Sequence, residues 1–395
     1  MLKALQQVTQ AVNENFSRAQ ILRIYENILR QFPSVRGVAL YSRQNGELRC
    51  EFSDWDFEGA SLPFSLENYL EQLGELQIPY HLPDSELPFN VVIPSYHKER
   101  VLGYLLARLD SNPEAGPEDP DSAQMQSEFL QTLNNVVFVA LENKMLAREA
   151  LRQEALRKEI ELASELQALL FPQSTEGLAG VAVSGSHKTF DEVGGDYYDY
   201  FPLPDGDVAL CIADVSGKGM AAALLMANFQ ANVRALFPYV PDLAQLGHTL
   251  NKKVDESAQG EKFITCFIAR YDPRRRLLHY ANLGHNPPLF LSGTELSTLD
   301  AQAPALGMLP ELPSFATQSL SIAPDDLLVA YTDGLTELHN EDNQLFGLER
   351  LKNIVLENRI LPPAELNSLI ARHLNSFRGE SPFRDDIALL TCRFF

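Results

Sequence analysis

ALCIADVSGKGMAAALLMA, residues 209–227, passes from an unbroken apolar run through one acid and a glycine-rich turn into strong helix formers. Ala209 to Ala213 has the length and character of a buried strand, and Met220 to Leu236 contains neither Gly nor Pro. A strand that ends on Asp214 and turns over Gly217-Lys218-Gly219 straight into a helix holds a carboxylate at a fixed strand end. Outward from this stretch, strand-like runs recur at Val208–Ala213, Phe263–Tyr271, Leu277–Ala281, Leu327–Tyr331 and Ile387–Cys392. Helical stretches lie between them at Met220–Leu236, Asp242–Ser257 and Pro363–Phe377. Paired runs around turns, paired helices and further paired runs predict a layered α+β domain with antiparallel sheets. A doubly wound parallel sheet would need strict alternation of strand and helix, which this order lacks.

Other acids share the setting of Asp214. Asp196 follows Gly194-Gly195, Asp333 ends LLVAYT and precedes Gly334, and Asp385-Asp386 open IALLTC. Carboxylates held at strand ends can converge at a sheet edge, and adjacent glycines let backbone and ligands approach closely. A site of carboxylates without His or Cys favours hard cations, Mg²⁺ or Mn²⁺ over Zn²⁺. Two such ions lower the pKa of water and bind phosphoryl oxygens, which is phosphoester hydrolysis without a protein nucleophile. Asp before Gly is also ordinary turn chemistry, so both readings stand at this point. His285, in Asn-Leu-Gly-His-Asn-Pro-Pro, suits either a catalytic acid or a turn histidine bonded to backbone. Gly217-Lys218-Gly219 lacks P-loop spacing, no Gly-x-Ser-x-Gly elbow is present, and Cys266 within FITCFIA reads as a buried, inert thiol.

At 395 residues the chain has room for two domains and a connection. Lys+Arg 32 against Asp+Glu 53 gives a net charge of -21, which argues against nucleic acid or an anionic membrane as the main partner. No signal peptide or membrane-length apolar run is visible, and four scattered cysteines form no paired spacing; a cytoplasmic protein is expected. Residues 1 to about 110 mix helix and strand. Helical spacing runs from Leu2 to Leu29, and Gly37–Tyr41 with Leu48–Phe52 flank Arg43-Gln44-Asn45-Gly46, a hairpin turn. A second hairpin joins Phe89–Pro94 to Val101–Leu109 through His97-Lys98-Glu99-Arg100, and a Pro- and acid-rich loop follows at Asn112–Asp121. From about Ser122 to Leu170 nothing breaks a helix until Pro172. Leu156, Ile160, Ala163 and Leu170 share a stripe there, interrupted by Gln167. That stripe suits parallel homodimerisation or packing against the chain's own domains.

The stretches VGGDYYDYFPL (193–203), ADVSGKGMAAALLMA (213–227), ANLGHNPPLF (281–290), YTDGLTE (331–337) with LFGLERL, and RDDIALLT (384–391) resemble the SpoIIE/RsbU branch of the metal-dependent (PPM) protein phosphatases. They stand in that family's order. The resemblance implies an α-β-β-α sandwich over residues 175–395 with a two-ion Mn²⁺ or Mg²⁺ site. It implies that Asp214 bridges the ions with the Val215 carbonyl completing one of them. Asp333 and Asp385 would ligate the second, and Asp196 would ligate directly or through water. Asp386 stands where relatives carry Asn or Asp. By the same resemblance, the substrate is phosphoserine or phosphothreonine on a STAS-type anti-sigma-factor antagonist. Residues 1–145, with the pair NVVIPSYHKERVLGYLLARL (90–109), resemble a GAF domain, a sensor that takes a small molecule or dimerises. The cyclic-nucleotide signature of that family is absent. The expected organisation is therefore a GAF-like sensor at 1–145, a connecting helix at 146–174 and the phosphatase at 175–395. The rival readings are a non-catalytic signalling scaffold and a phosphatase for small phosphoesters.

Overall fold

The computed structural model describes residues 2–44, 47–55, 70, 80–81, 87–97, 100–109 and 120–395. They fall into two compact units, Met1–Ala155 and Leu156–Phe395. The first begins with helices α1 (Leu2–Asn13) and α2 (Arg18–Arg30). The helical spacing of Leu2–Leu29 is thus divided. Asn15 adopts φ 60°, and Ser17 caps α2 in a reciprocal box with Gln20. Strands β1 (Val35–Gln44), β2 (Glu47–Ser53), β3 (Tyr80–His81), β4 (Val91–His97) and β5 (Arg100–Leu109) form an antiparallel sheet in the order β2-β1-β5-β4-β3. Both expected hairpins are present as β1/β2 and β4/β5. Their turn residues Asn45-Gly46 and Lys98-Glu99, and residues 112–119 of the expected loop, lie outside the described residues.

Helix α3 (Pro120–Ala168) is 49 residues long, and the boundary between the units falls within it. In the first unit it buries Leu130, Leu133, Val137 and Leu141, a 3–4 spacing that presents one stripe to Tyr25, Ile28, Ile93 and Leu105. Among the described residues no helix is long and apolar enough to cross a membrane.

The second unit continues with β6 (Val181–Lys188), β7 (Tyr197–Pro202), β8 (Val208–Val215), α4 (Met220–Leu236), α5 (Leu243–Ala258), β9 (Ile264–Asp272) and β10 (Leu277–Leu283). There follow β11 (Leu289–Ser292), β12 (Glu295–Thr298), β13 (Gln318–Ser321), β14 (Leu327–Tyr331), α6 (Asp333–Thr336), α7 (Leu348–Glu357), α8 (Pro363–Arg378) and β15 (Ile387–Phe394). Two five-stranded antiparallel sheets result, ordered β13-β10-β9-β8-β7 and β12-β11-β14-β15-β6. Period-two alternation assigns the faces of the second sheet. Leu328, Ala330, Ala388, Leu390, Cys392 and Phe394 share one core with β8, β9, α4 and α5. Leu327, Val329, Tyr331, Ile387 and Leu389 turn the other way and pack on Leu351 and Val355 of α7 and Leu366, Ile370 and Leu374 of α8. The layers are therefore helices, sheet, sheet, helices: the α-β-β-α sandwich.

The stretch from Asp214 to α4 is tied down on the sheet side. Ser216 Oγ accepts from the Phe263 N–H at 2.9 Å, and Lys262 Nζ donates to the Ser216 carbonyl at 2.9 Å. Gly217 and Gly219 take φ of 84° and 74°, a region that other residues enter only with strain. Helix α4 is fixed to β7 by Asp199, which is fully buried. It accepts from Arg234 Nε and Nη2 at 2.7 and 2.6 Å and from the Tyr197 hydroxyl.

Candidate active site

The acids singled out from the sequence stand at neighbouring ends of the two sheets. Asp214 is in the last turn of pairing of β8, opposite Thr265 of β9. Val215 ends that strand, and its carbonyl faces Gly195. Asp196 immediately precedes β7, Asp333 opens α6 with only Thr332 between it and the end of β14, and Asp385-Asp386 immediately precede β15. The elements that carry them belong to both sheets, so the cluster exists only once the sandwich is closed.

Burial and the charges of their neighbours raise the carboxyl pKa of four of these acids. Burial, then the Asp214 charge, raises Asp196 well above the usual carboxylate range, with Asp386 and Asp333 adding to this; a hydrogen bond from Thr332 opposes it. Asp214 is pushed up to about 7 by burial first, then by Asp333, Asp385 and Asp386, while a hydrogen bond with Asp196 works the other way. Asp333 is raised by burial, Glu337 and Asp385. Asp386 is raised by burial and Asp385, against hydrogen bonds from the Phe190 and Gly195 amides and the charge of Lys218. The shared pattern is unbalanced negative charge at a part-buried strand end, a shortage of positive charge that a small dication would meet.

Among the described residues no three His, Cys, Asp or Glu side chains are gathered in the arrangement of a metal site. The physical reason is visible in where the acids turn. Lys218 Nζ takes Asp385 Oδ2 at 2.9 Å and also donates to the Arg384 carbonyl. Asp386 spends Oδ1 on the Phe190 N–H at 2.7 Å and Oδ2 on the Gly195 N–H at 2.8 Å. Asp214 and Asp196 share a hydrogen bond with each other. The oxygen-only donor set of Asp196, Asp214, Asp333 and Asp385 fits a hard dication; Asp385 also accepts from the Asp386 N–H at 3.0 Å, which leaves its Oδ2 with Lys218.

Asp386, which is buried, therefore acts on the loop 190–195 through both of its oxygens. Thr332, which the sequence reading passed over, is fully buried and serves both sheets. Its Oγ1 accepts from the Ala388 N–H at 2.8 Å and donates to Asp196 Oδ2 at 2.6 Å. It stands at the N-cap of α6 yet caps nothing with its side chain, because that hydroxyl is committed to Asp196. Only its place in Tyr-Thr-Asp-Gly, one residue before Asp333, hinted at this. His285 is 3% exposed, bonded through Nδ1 to Thr265 Oγ1 at 2.8 Å, and burial lowers its imidazole to about 4. It sits behind the strand end that carries Asp214, as a neutral ring in a hydrogen-bonded turn. Cys266 is fully buried.

The family model of Stage II sporulation protein E (SpoIIE) matches residues 204–395, which takes in Asp214, Asp333, Asp385 and every strand of the two sheets except β6 and β7. Residues 204–395 belong to the SpoIIE family. Protein IcfG of Synechocystis sp. is 26% identical over 285 residues, 65% of this chain and 45% of that protein. Phosphoserine phosphatase RsbU of Bacillus subtilis is 26% identical over 244 residues, 61% of this chain and 71% of the relative. Phosphoserine phosphatase RsbP of the same organism is 28% identical over 189 residues, 46% of each chain. The chain thus spans less than half the length of IcfG and RsbP. In three dimensions the SpoIIE domain resembles the SiaA-PP2C domain of Pseudomonas aeruginosa, with a TM-score of 0.54, 22% identity, and coverage of 62% of this chain and 99% of that one. That likeness speaks for the PP2C-type sandwich.

Proposed function

We propose that the chain is a divalent-metal-dependent protein serine/threonine phosphatase, carried by the cluster of Asp196, Asp214, Asp333 and Asp385 at the joined ends of two sheets in a SpoIIE domain. Two ions, Mn²⁺ or Mg²⁺, would be held by those four acids and the Val215 carbonyl, and when bound supply the Lewis acidity that phosphoester hydrolysis needs. Asp214, which interacts with Asp196 on one side and with Asp333 and Asp385 on the other, would be the shared ligand. Thr332 orients Asp196 through a 2.6 Å hydrogen bond, which fixes which carboxylate oxygen faces inward. Asp386 holds the loop 190–195 in place. Lys218, 43% exposed beside Asp385, leaves a positive charge at the mouth of the site, where a phosphate arrives.

The similarity to two phosphoserine phosphatases favours phosphoserine or phosphothreonine on a protein over a small phosphoester. A STAS-type anti-sigma-factor antagonist is the proposed partner. Residues 1–145 are proposed as a GAF-like sensor that takes a small molecule, 146–174 as the connecting helix and 175–395 as the catalytic domain, in a cytoplasmic homodimer. The experiment is hydrolysis of p-nitrophenyl phosphate and of a phosphoserine peptide with Mn²⁺, with and without EDTA. Activity should require metal, and Asp214→Asn should lose at least a hundredfold. EDTA-resistant turnover, or an Asp214→Asn rate within tenfold of wild type, sinks the reading.

A further inference from the structure

Gln167, in the last turn of α3, follows the apolar stripe of Leu156, Ile160 and Ala163 and precedes Leu170 just past the helix end, and the structure gives it a specific task within the second unit. Its side chain is 7% exposed, and both ends of the carboxamide are satisfied by one residue. Nε2 donates to the Gly194 carbonyl at 2.7 Å, and the Gly194 N–H donates to Oε1 at 3.1 Å. A primary amide presents a donor and an acceptor side by side, the same pairing that an antiparallel strand offers its neighbour. Glu could accept but not donate, Met could do neither, and Asn would be one methylene short.

The opposite side of this peptide is equally constrained. A Cβ on Gly194 would stand 2.3 Å from Asp386 Oδ2, and that oxygen accepts from the Gly195 N–H at 2.8 Å. The Gly194-Gly195 segment is thus held between Gln167 and Asp386, and the next residue is Asp196. Just past the end of α3, the Phe171 ring stacks on His187 at 4.6 Å and lies tilted against Tyr198 at 5.0 Å, which anchors the end of the helix beside it. A shift of the last turn of α3 therefore carries Gly194 with it.

We propose that Gln167 is a positioning residue for the carboxylate cluster: its carboxamide grips the Gly194 peptide from the helix side and so sets where Asp196 stands. The inference rests on the phosphatase reading of that cluster. It deepens that reading by naming the contact through which α3 acts on the site. A leucine would have continued the stripe, but would leave two backbone groups of Gly194 buried without partners.

The test compares the full-length wild type with Gln167→Met, which keeps length and volume, and Gln167→Glu, which keeps only the acceptor. Hydrogen exchange at the Gly194 amide reads the clamp directly, and calorimetric titration with Mn²⁺ reads its effect on the site. In Gln167→Met the Gly194 amide should exchange at least tenfold faster while amides of β8 keep their protection, and the Mn²⁺ dissociation constant should rise about tenfold. Gln167→Glu should keep slow Gly194 exchange and show an intermediate Mn²⁺ affinity. A merely structural glutamine would lower the melting temperature and leave the Mn²⁺ constant within twofold of wild type, and that result overturns the proposal. If Gln167→Met does not fold, Gln167→Glu decides: a raised Mn²⁺ constant supports the proposal and an unchanged one overturns it. Should wild type bind no Mn²⁺, the phosphatase reading fails by itself. The clamp is then judged on exchange at residues 193–196, where an unchanged rate in both variants refutes it.

Discussion

A carboxylate whose pKa is raised in the folded protein makes the fold less stable as pH rises, because the folded state then holds protons more tightly than the unfolded chain does. Asp214 stands at about 7 against an ordinary value near 4. Its contribution is therefore neutral below about pH 4, erodes through pH 4–7, and is a fixed cost above. At about 1.4 kcal/mol per pK unit the cost reaches a few kcal/mol. Metal-free protein should accordingly lose melting temperature between pH 4 and 7. Asp214→Asn should flatten that slope and stabilise the metal-free fold at pH 8, and a titration of melting temperature in EDTA checks both. An Asp214→Asn variant with the wild-type slope would remove Asp214 as its source. Thr332→Val, nearly isosteric, strands the Ala388 N–H and frees Asp196. It should cost about 1–3 kcal/mol of stability and weaken Mn²⁺ binding, read by denaturant melts and calorimetry. Unchanged Mn²⁺ affinity in that variant would mean that the hydroxyl serves only the backbone.

Among the elements, β15 bears most on the core, because one face meets the first sheet and the other meets α7 and α8. Leu390→Ala, at a fully buried inner position, should cost about 2–5 kcal/mol by chemical denaturation. Arg234→Met leaves Asp199 as an unpaired buried charge between β7 and α4, and about 3 kcal/mol should be lost there. The strands at 208–215, 264–272, 277–283, 327–331 and 387–394 were legible because both faces are buried and the runs are continuously apolar. β6, with Ser184, Gly185, Ser186 and His187 in its middle, carries no such run, and β11, β12 and β13 have four residues each. α6 is a single turn, too short for any periodicity. The strand-end setting of the acids was legible locally, since Asp196, Asp333, Asp385 and Asp386 each stand beside glycine or another acid and Asp214 closes an apolar run ahead of a glycine-rich turn. Thr332, Gln167 and the committed role of Asp386 were not, since each depends on which distant loops meet: Asp386 bonds Phe190 and Gly195, more than 190 residues earlier.

Across the whole molecule, the stripe on α3 is narrower as a self-association surface than its sequence suggests. Gln167 is spent on Gly194 and Leu170 packs on the core of the second unit, which leaves Leu156, Ile160 and Ala163 for pairing. If the chain dimerises there, Ile160→Asp should sediment as a monomer and shift its Mn²⁺ requirement. An Ile160→Asp variant that stays dimeric with wild-type metal dependence would reduce α3 to a tether. The pairing of β6 with β15, from Val181↔Phe394 to Ile387↔Lys188, has a consequence for how the protein is made. β6 is synthesised about 200 residues before its partner, and its hydrogen-bonding edge and apolar face must wait through that whole interval. On the ribosome, the second unit stays an open half-sandwich until residues 387–394 have left the exit tunnel. A nascent chain stalled before that point offers chaperones and proteases a bare strand, and it has no assembled cluster with which to cleave a phosphate prematurely.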